Sequence, residues 1–153
     1  MIFRIIPSFL FQYLCYMADV HDKSTRSFNM SRIRSKNTKP EILVRKFLFS
    51  QGFRFRIHAK TLPGKPDIVL PKYKTVIFIH GCFWHGHEDC KFFVIPKTRT
   101  KWWLKKINGN KQKDGENFLR LEAVGWNIKT IFECELKGNL LNQTLNLLVN
   151  ELH

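Results

Sequence analysis

Two thiols and two imidazoles fall within nine consecutive residues, Cys82-Phe83-Trp84-His85-Gly86-His87-Glu88-Asp89-Cys90. The His87-x-x-Cys90 spacing lets both ligands bend back onto one ion, and zinc takes four such donors in a tetrahedron. Cys134, just after a second β-type run, supplies the fourth. Cys82, His87, Cys90 and Cys134 therefore read as a closed Cys₃His structural zinc site, whose metal contributes folding free energy outright. Spacing alone does not decide which histidine binds. With His87 on the metal, His85 is left beside a strand end, where a neutral imidazole can act as acid or base. The blander alternative, ordinary buried thiols next to surface histidines, explains this density poorly. The four cysteines, counting Cys15, would pair as disulfides only in an oxidising compartment, and their histidine neighbours point to metal instead.

Around this loop the pattern predicts an α/β domain. Thr38-Lys39-Pro40-Glu41 has the form of a capping box, with proline tolerated in the first turn, so a helix starts there. Ile42, Leu43, Phe47 and Leu48 supply its apolar face and Gly52 its terminator. Residues 53–57 alternate as a half-buried strand, followed by a Leu62-Pro63-Gly64 turn. Residues 67–70 and 75–80 are apolar runs joined by a short link, which predicts an antiparallel hairpin. Opposed positions sum to about 146 if the link is centred near residue 73, setting Asp67 beside Ile79 to within one register step. Residues 100–124 read as helical with an interruption at Asn108-Gly109-Asn110, and residues 126–133 as a further strand. Leu141, Leu145, Leu148 and Leu152 mark a C-terminal amphipathic helix. The order αβββααβα fits a mixed sheet flanked by helices.

Charge narrows the partner. Over 153 residues, 26 Lys and Arg against 12 Asp and Glu give a net charge of +14, on a chain 44% hydrophobic and 14% aromatic. Such a composition buries a core, which excludes a disordered basic tail, and the positive field favours a polyanion: nucleic acid or an anionic membrane surface. Residues 22–60 carry eleven Lys and Arg and two acids. The first part of this stretch, through Asn37, lacks sustained apolar periodicity and is expected to order only on a partner. Arg26, Arg32, Arg34 and Lys36 are expected to contact phosphates. The chain thus divides into an extension (1–16), a basic DNA-contacting arm (17–37) and a folded domain (38–153). The extension resembles a short signal peptide, but it is too short to span a bilayer, and Met17 offers a second start. A cytoplasmic protein, nucleoid-associated when bound to DNA and with no membrane partner, is the expectation.

Pro66-Asp67 places one carboxylate at an exposed strand end. Mg²⁺ prefers oxygen ligands and keeps several waters, so that carboxylate, a carbonyl such as that of Ile79 and a substrate phosphate suffice to hold it. A lone Pro-Asp usually means only a turn. Taken together, MADVHDKSTRS, Leu62-Pro63-Gly64-Lys65-Pro66-Asp67, Phe78-Ile79-His80-Gly81-Cys82-Phe83-Trp84-His85-Gly86-His87, Pro96-Lys97-Thr98-Arg99-Thr100 and Glu133-Cys134 resemble the very short patch repair DNA mismatch endonucleases. The resemblance runs from Met17 nearly to the C-terminus. It implies a restriction-endonuclease-like fold of the PD-(D/E)XK type, a structural zinc, and Mg²⁺-dependent nicking of one strand beside the T of a T:G mismatch.

By position, the resemblance implies that Asp67 and the Ile79 carbonyl hold Mg²⁺, that His85 handles the proton of the attacking water, and that His80 and Glu41 complete the active site. It makes Cys82, His87, Cys90 and Cys134 the zinc ligands. Phe83 and Trp84 become a wedge beside the mismatch, with Met30 entering from the other side, and Lys106 and Asn110 contact the mispaired bases. Wedging unstacks bases at a cost of a few kcal/mol per step and needs rigid backing. Trp102, Trp103 and Trp126 read as packing residues without a functional role. Three departures stand out: a ligand loop one residue longer between His87 and Cys90 than in some relatives, Ile79 at a position that can be polar, and the extension 1–16. The resemblance implies a monomer acting on double-stranded DNA, with downstream repair proteins as further partners. Two rival readings are a restriction-like nuclease without mismatch specificity and a non-catalytic, zinc-stabilised DNA-binding module.

Overall fold

The computed structural model describes residues 22–32 and 36–152. The extension 1–16, the start of the arm and Arg34 lie outside the described residues, as does the Arg26 side chain. The elements in chain order are α1 (Lys23–Ser31), α2 (Lys39–Ser50), β1 (Ile68–Leu70), β2 (Thr75–His80), α3 (Thr100–Ala123), β3 (Asn127–Phe132) and α4 (Leu140–Asn150). Among the described residues no helix is long and apolar enough to cross a membrane.

The sheet is mixed and has the order β1-β2-β3. β1 and β2 form the antiparallel hairpin, while β2 and β3 run parallel from Thr75↔Asn127 to His80↔Phe132. A parallel pair needs a long crossover, and α3 lies within it. β2 is central and covered on both faces, which is why it reads as a continuous apolar run rather than an alternating one. On one face Ile68, Leu70 and Ile77 pack with Val44 and Leu48 of α2 and Leu145 and Leu148 of α4. On the other, Val69, Val76 and Phe78 pack with Leu121 and Phe118 of α3. Side chains alternate along a strand, so Asp67 and His80 fall on the same face as Val69 and Phe78, toward α3.

The capping box forms as its sequence predicts, with the Thr38 side chain accepting from the Glu41 amide and Glu41 accepting from Thr38. Four expectations need correction. Residues 53–57 form no strand; only Arg56 pairs, through two 2.8 Å hydrogen bonds with Val69. Phe53 turns into the core, Ile57 is exposed, and His58 adopts a left-handed φ of 54° that ends the extended run. α3 continues through Asn108-Gly109-Asn110 without a break. An interior glycine costs only about 1 kcal/mol, and burial of Ile107 and Leu121 outweighs it. The arm is not without structure of its own: α1 forms over Lys23–Ser31, started by Asp22, whose carboxylate accepts from the Thr25 amide at 2.6 Å. Trp102 is not a packing residue in the expected sense, being 48% exposed.

The hairpin register is one step from the centre expected, with Ile68 opposite Ile77. The Pro71–Tyr73 3₁₀ turn, closed by Lys74 in the left-handed region, sets it. Because Ile77 has no exposure and sits in the central strand, Ile77→Ala should lower unfolding free energy by roughly 2–5 kcal/mol. Urea denaturation monitored by far-UV circular dichroism would measure it, and a loss under about 1 kcal/mol would show that the core collapses around the gap.

Candidate active site and metal centre

The β2–β3 pairing ends where the chemistry begins. The Glu133 amide donates to the His80 carbonyl at 2.9 Å, continuing the parallel ladder one step and carrying Cys134 alongside the loop that leaves β2. Within that loop the amides of His85 and His87 donate to the carbonyls of Gly81 and Cys82 at 3.2 and 3.0 Å, folding it back on itself. Gly86 has φ 59°, and a Cβ there would lie 2.9 Å from Ile107 Cγ2, so only glycine lets the loop press this closely against α3.

The two histidines face different ways. His87 lies with the thiols: one donor atom each from Cys82, His87, Cys90 and Cys134 fall within 4.8 Å of one another, and Cys134 Sγ is 3.4 Å from His87 Nδ1. The three cysteines are unpaired and Cys82 is buried. Four convergent donors with no disulfide among them form a set that fits a tetrahedral ion. His87 is held in orientation by stacking on Phe132, 3.9 Å between centroids.

His85 turns instead toward α3 and β2. Its Nδ1 lies 2.6 Å from Asp114 Oδ2, and its ring stacks on His80 at 3.6 Å with planes 9° apart. Both line an open cavity of about 670 Å³ together with Asp67, Ile79, Glu41 and Glu133. Four of the chain's 12 carboxylates thus converge on one cavity of a protein with net charge +14.

Asp67 sits at the entry to β1. Its amide donates to the Ile77 carbonyl at 3.1 Å, and its Oδ2 accepts from the Ile79 amide at 2.7 Å. The Ile79 backbone edge therefore faces Asp67. Burial pushes the Asp67 carboxyl up to about 6; the Ile79 hydrogen bond opposes the rise, the Glu41 charge adds to it, and Arg45 and His85 oppose it. Burial, reinforced by the His85 charge and opposed by Asp114, drives His80 down to about 4, so this imidazole is neutral at pH 7. Glu41 is only 3% exposed and already engaged: it closes the capping box and pairs with Arg45 at 2.7 Å. Arg45 in turn reaches the Asp67 carbonyl at 3.4 Å, linking α2 to the carboxylate's own backbone.

Phe83 and Trp84 do not stand alone. Their rings meet edge-on at 5.3 Å, and Trp103 of α3 packs against both, at 5.2 and 6.1 Å. Asn110 anchors the pair from below, donating from Nδ2 to the Trp84 carbonyl at 2.9 Å. Lys106, one turn earlier on α3, is exposed. Met30 lies in α1 and Arg32 caps its C-terminus; both are exposed, and Arg32 covers the Phe28 ring at 4.6 Å. Lys36 lines the cavity.

Sequence reasoning missed Asp114 and gave Glu133 no role of its own, while Trp103, read as a packing residue, packs against both members of the aromatic pair. Asp114 had a readable signal. Ile107, Asn110, Asp114, Phe118 and Leu121 recur at helical spacing, so an acid lies on the face of α3 that turns toward the sheet. The expected interruption at Gly109 hid that continuity.

The family profile for DNA mismatch endonuclease Vsr matches residues 18–91. A type II nicking enzyme of Neisseria meningitidis is 53% identical over 137 residues, covering 89% of this chain and 97% of that protein. DNA mismatch endonuclease Vsr of Escherichia coli is 47% identical over 122 residues, 80% of this chain and 78% of that one. A type II nicking enzyme of Xanthomonas oryzae is 46% identical over 120 residues, 78% of this chain and 88% of its own. The chain belongs to the Vsr family. It is a DNA endonuclease, and the cavity holding Asp67, His80, His85 and Asp114 is the part of this Vsr-family fold where titratable groups converge.

The raised Asp67 carboxyl has a consequence for stability. The folded chain holds this proton more tightly than the unfolded chain does, so folding is penalised once pH rises above the ordinary carboxylate value and most fully above about 6. Without added divalent cation, Asp67→Asn should raise the melting temperature at pH 8 and leave it nearly unchanged at pH 4. Melting curves at the two pH values check this; equal shifts at both would show that the charge is not what the fold pays for.

Proposed function

We propose that this protein nicks one DNA strand beside the T of a T:G mismatch, using Mg²⁺ for phosphodiester hydrolysis and zinc for structure, on a fold of the restriction-endonuclease-like type. One arrangement carries the reading: Asp67 and the Ile79 backbone share a cavity with a His85–Asp114 pair, beneath an aromatic loop tied to the same helix. The printed names of the relatives, a mismatch endonuclease and nicking enzymes, support it.

Asp67 and the Ile79 carbonyl would hold Mg²⁺, which polarises the scissile phosphate and lowers the pKa of a bound water. Asp114 accepts from His85 Nδ1, selecting the tautomer whose Nε2 lone pair is free to take the water's proton. His80, neutral and stacked on His85, holds that ring in plane without competing for the proton. Cys82, His87, Cys90 and Cys134 would hold zinc and so brace the loop from which Phe83 and Trp84 project. Trp103 and Asn110 supply the rest of the backing that unstacking a base step requires. Lys106, exposed one turn before Asn110, would contact the mispaired bases, and Arg32 and Lys36 would supply positive charge for phosphates.

End-labelled duplexes carrying a T:G mismatch or its T:A counterpart, in mixed flanking contexts, with Mg²⁺ present or left out, test this directly. A Mg²⁺-dependent nick beside the mispaired T, absent from T:A, is expected. Asp67→Ala should abolish it while preserving binding, and His85→Ala should slow it by about 10²–10⁴-fold. Equal cutting of both duplexes would instead establish a nuclease without mismatch specificity, and salt-sensitive binding with no cutting a DNA-binding module. Removing zinc with a chelator should lower the melting temperature by more than 10 °C on the order expected for a structural metal; an unchanged melt would sink the structural role of the cysteine cluster.

A further inference from the structure

His80, His85 and Asp114 form a second donor group, separate from the cysteine cluster. One donor atom from each lies within 4.8 Å of the others. They come from three elements: the end of β2, the loop after it, and the middle of α3. Each is held independently. His80 is 6% exposed and its carbonyl is tied to Glu133; His85 is tied back to the Gly81 carbonyl; Asp114 rides on the continuous helix. The stacked rings set the two imidazole edges side by side, and the His85 and Asp114 side chains keep 26% and 25% of their surface open toward the cavity. A metal can enter without unfolding anything.

The donor chemistry selects the ion. Two imidazoles and one carboxylate with open positions suit borderline divalent ions, Zn²⁺, Ni²⁺, Co²⁺ and Cu²⁺, and suit Mg²⁺ poorly. The Asp67 side of the same cavity offers only oxygen. Asp67 and Glu133 line the same cavity, with Lys36, Lys60 and Lys65 also on its wall.

We propose that His80, His85 and Asp114 form an inhibitory site for a borderline divalent transition ion, zinc foremost. With Asp114 as a ligand, the ion sits at the Nδ1 edge of His85 and replaces the hydrogen bond there, leaving the ring proton on Nε2, which then has no lone pair to receive the water's proton. Zinc then acts with two signs: bound by the cysteine cluster it supports the fold, and bound by the histidine pair it stops the chemistry. The inhibitory half rests on the proposed role of His85; the binding half does not.

Cobalt reports the two sites separately, because only the cysteine cluster gives thiolate-to-metal absorption. Co²⁺ titrated into full-length protein already carrying one equivalent of zinc should fill one further site, with visible ligand-field bands and no new thiolate band. Asp114→Asn, His85→Ala and His80→Asn should each weaken this uptake by about tenfold or more, with zinc content and near-UV circular dichroism confirming that the variants are folded. In the nicking assay at fixed Mg²⁺, added Zn²⁺ should stop wild-type cutting over the range in which the second site fills. Failure to take up a second ion, or uptake undiminished in all three variants, would overturn the site. Filling without loss of cutting would overturn the inhibition. If the protein cuts no duplex at all, the nuclease reading fails while the cobalt result still decides the site.

Discussion

The parallel pairing of β2 with β3 is the constraint on which everything functional depends. It is the most non-local pairing in the sheet, joining residues about fifty positions apart, and it costs loop-closure entropy that the buried apolar faces of β2 must offset. Its last hydrogen bond, Glu133 to His80, lies between the cysteine cluster and the cavity that holds His80 and His85. Without it Cys134 would not meet Cys82, and the loop after β2 would have one anchored end. A metal at the cysteine cluster would lock the same junction from the outside, so strand pairing and ligand set reinforce one another.

The loop that leaves this junction divides its labour residue by residue. His87 turns to the thiols, His85 to Asp114, and Phe83 and Trp84 to Trp103. Gly86 allows the backbone to approach α3 closely enough for these contacts to coexist. α3 is therefore more than a crossover. Along one side it carries Trp103, Asn110 and Asp114, which back the aromatic pair, anchor its carbonyl and orient the imidazole. A change in how α3 seats on the sheet would move the aromatic pair and the His85 ring together.

The site is bought with local instability. Asp67 is buried enough to disfavour its charged form, His80 is kept neutral by burial, and Glu41 is enclosed beside Arg45. A cation in the cavity, or a proton, would relieve the buried Asp67 charge, as Arg45 already does for Glu41. The cavity sets four carboxylates among Lys36, Lys60 and Lys65, so acidic and basic groups share one opening in a basic protein.

Much of this was legible in the residues. The cysteine cluster followed from ligand type and spacing, the start of α2 from its capping box, and the hairpin from two apolar runs with a four-residue link, because each is a local relation between neighbours in the chain. The strand expected at 53–57 and the break expected at Asn108-Gly109-Asn110 failed because local pattern was outweighed: Phe53 gains more from the core than from a ladder, and α3 gains more from continuous burial than a glycine costs. Spacing alone did not decide which histidine faces the thiols, and the helical spacing of α3 showed an acid on its inner face without showing that Asp114 meets His85. Those facts depend on the rotation of a helix and the path of a loop relative to a sheet, which packing between distant segments decides and no local spacing encodes.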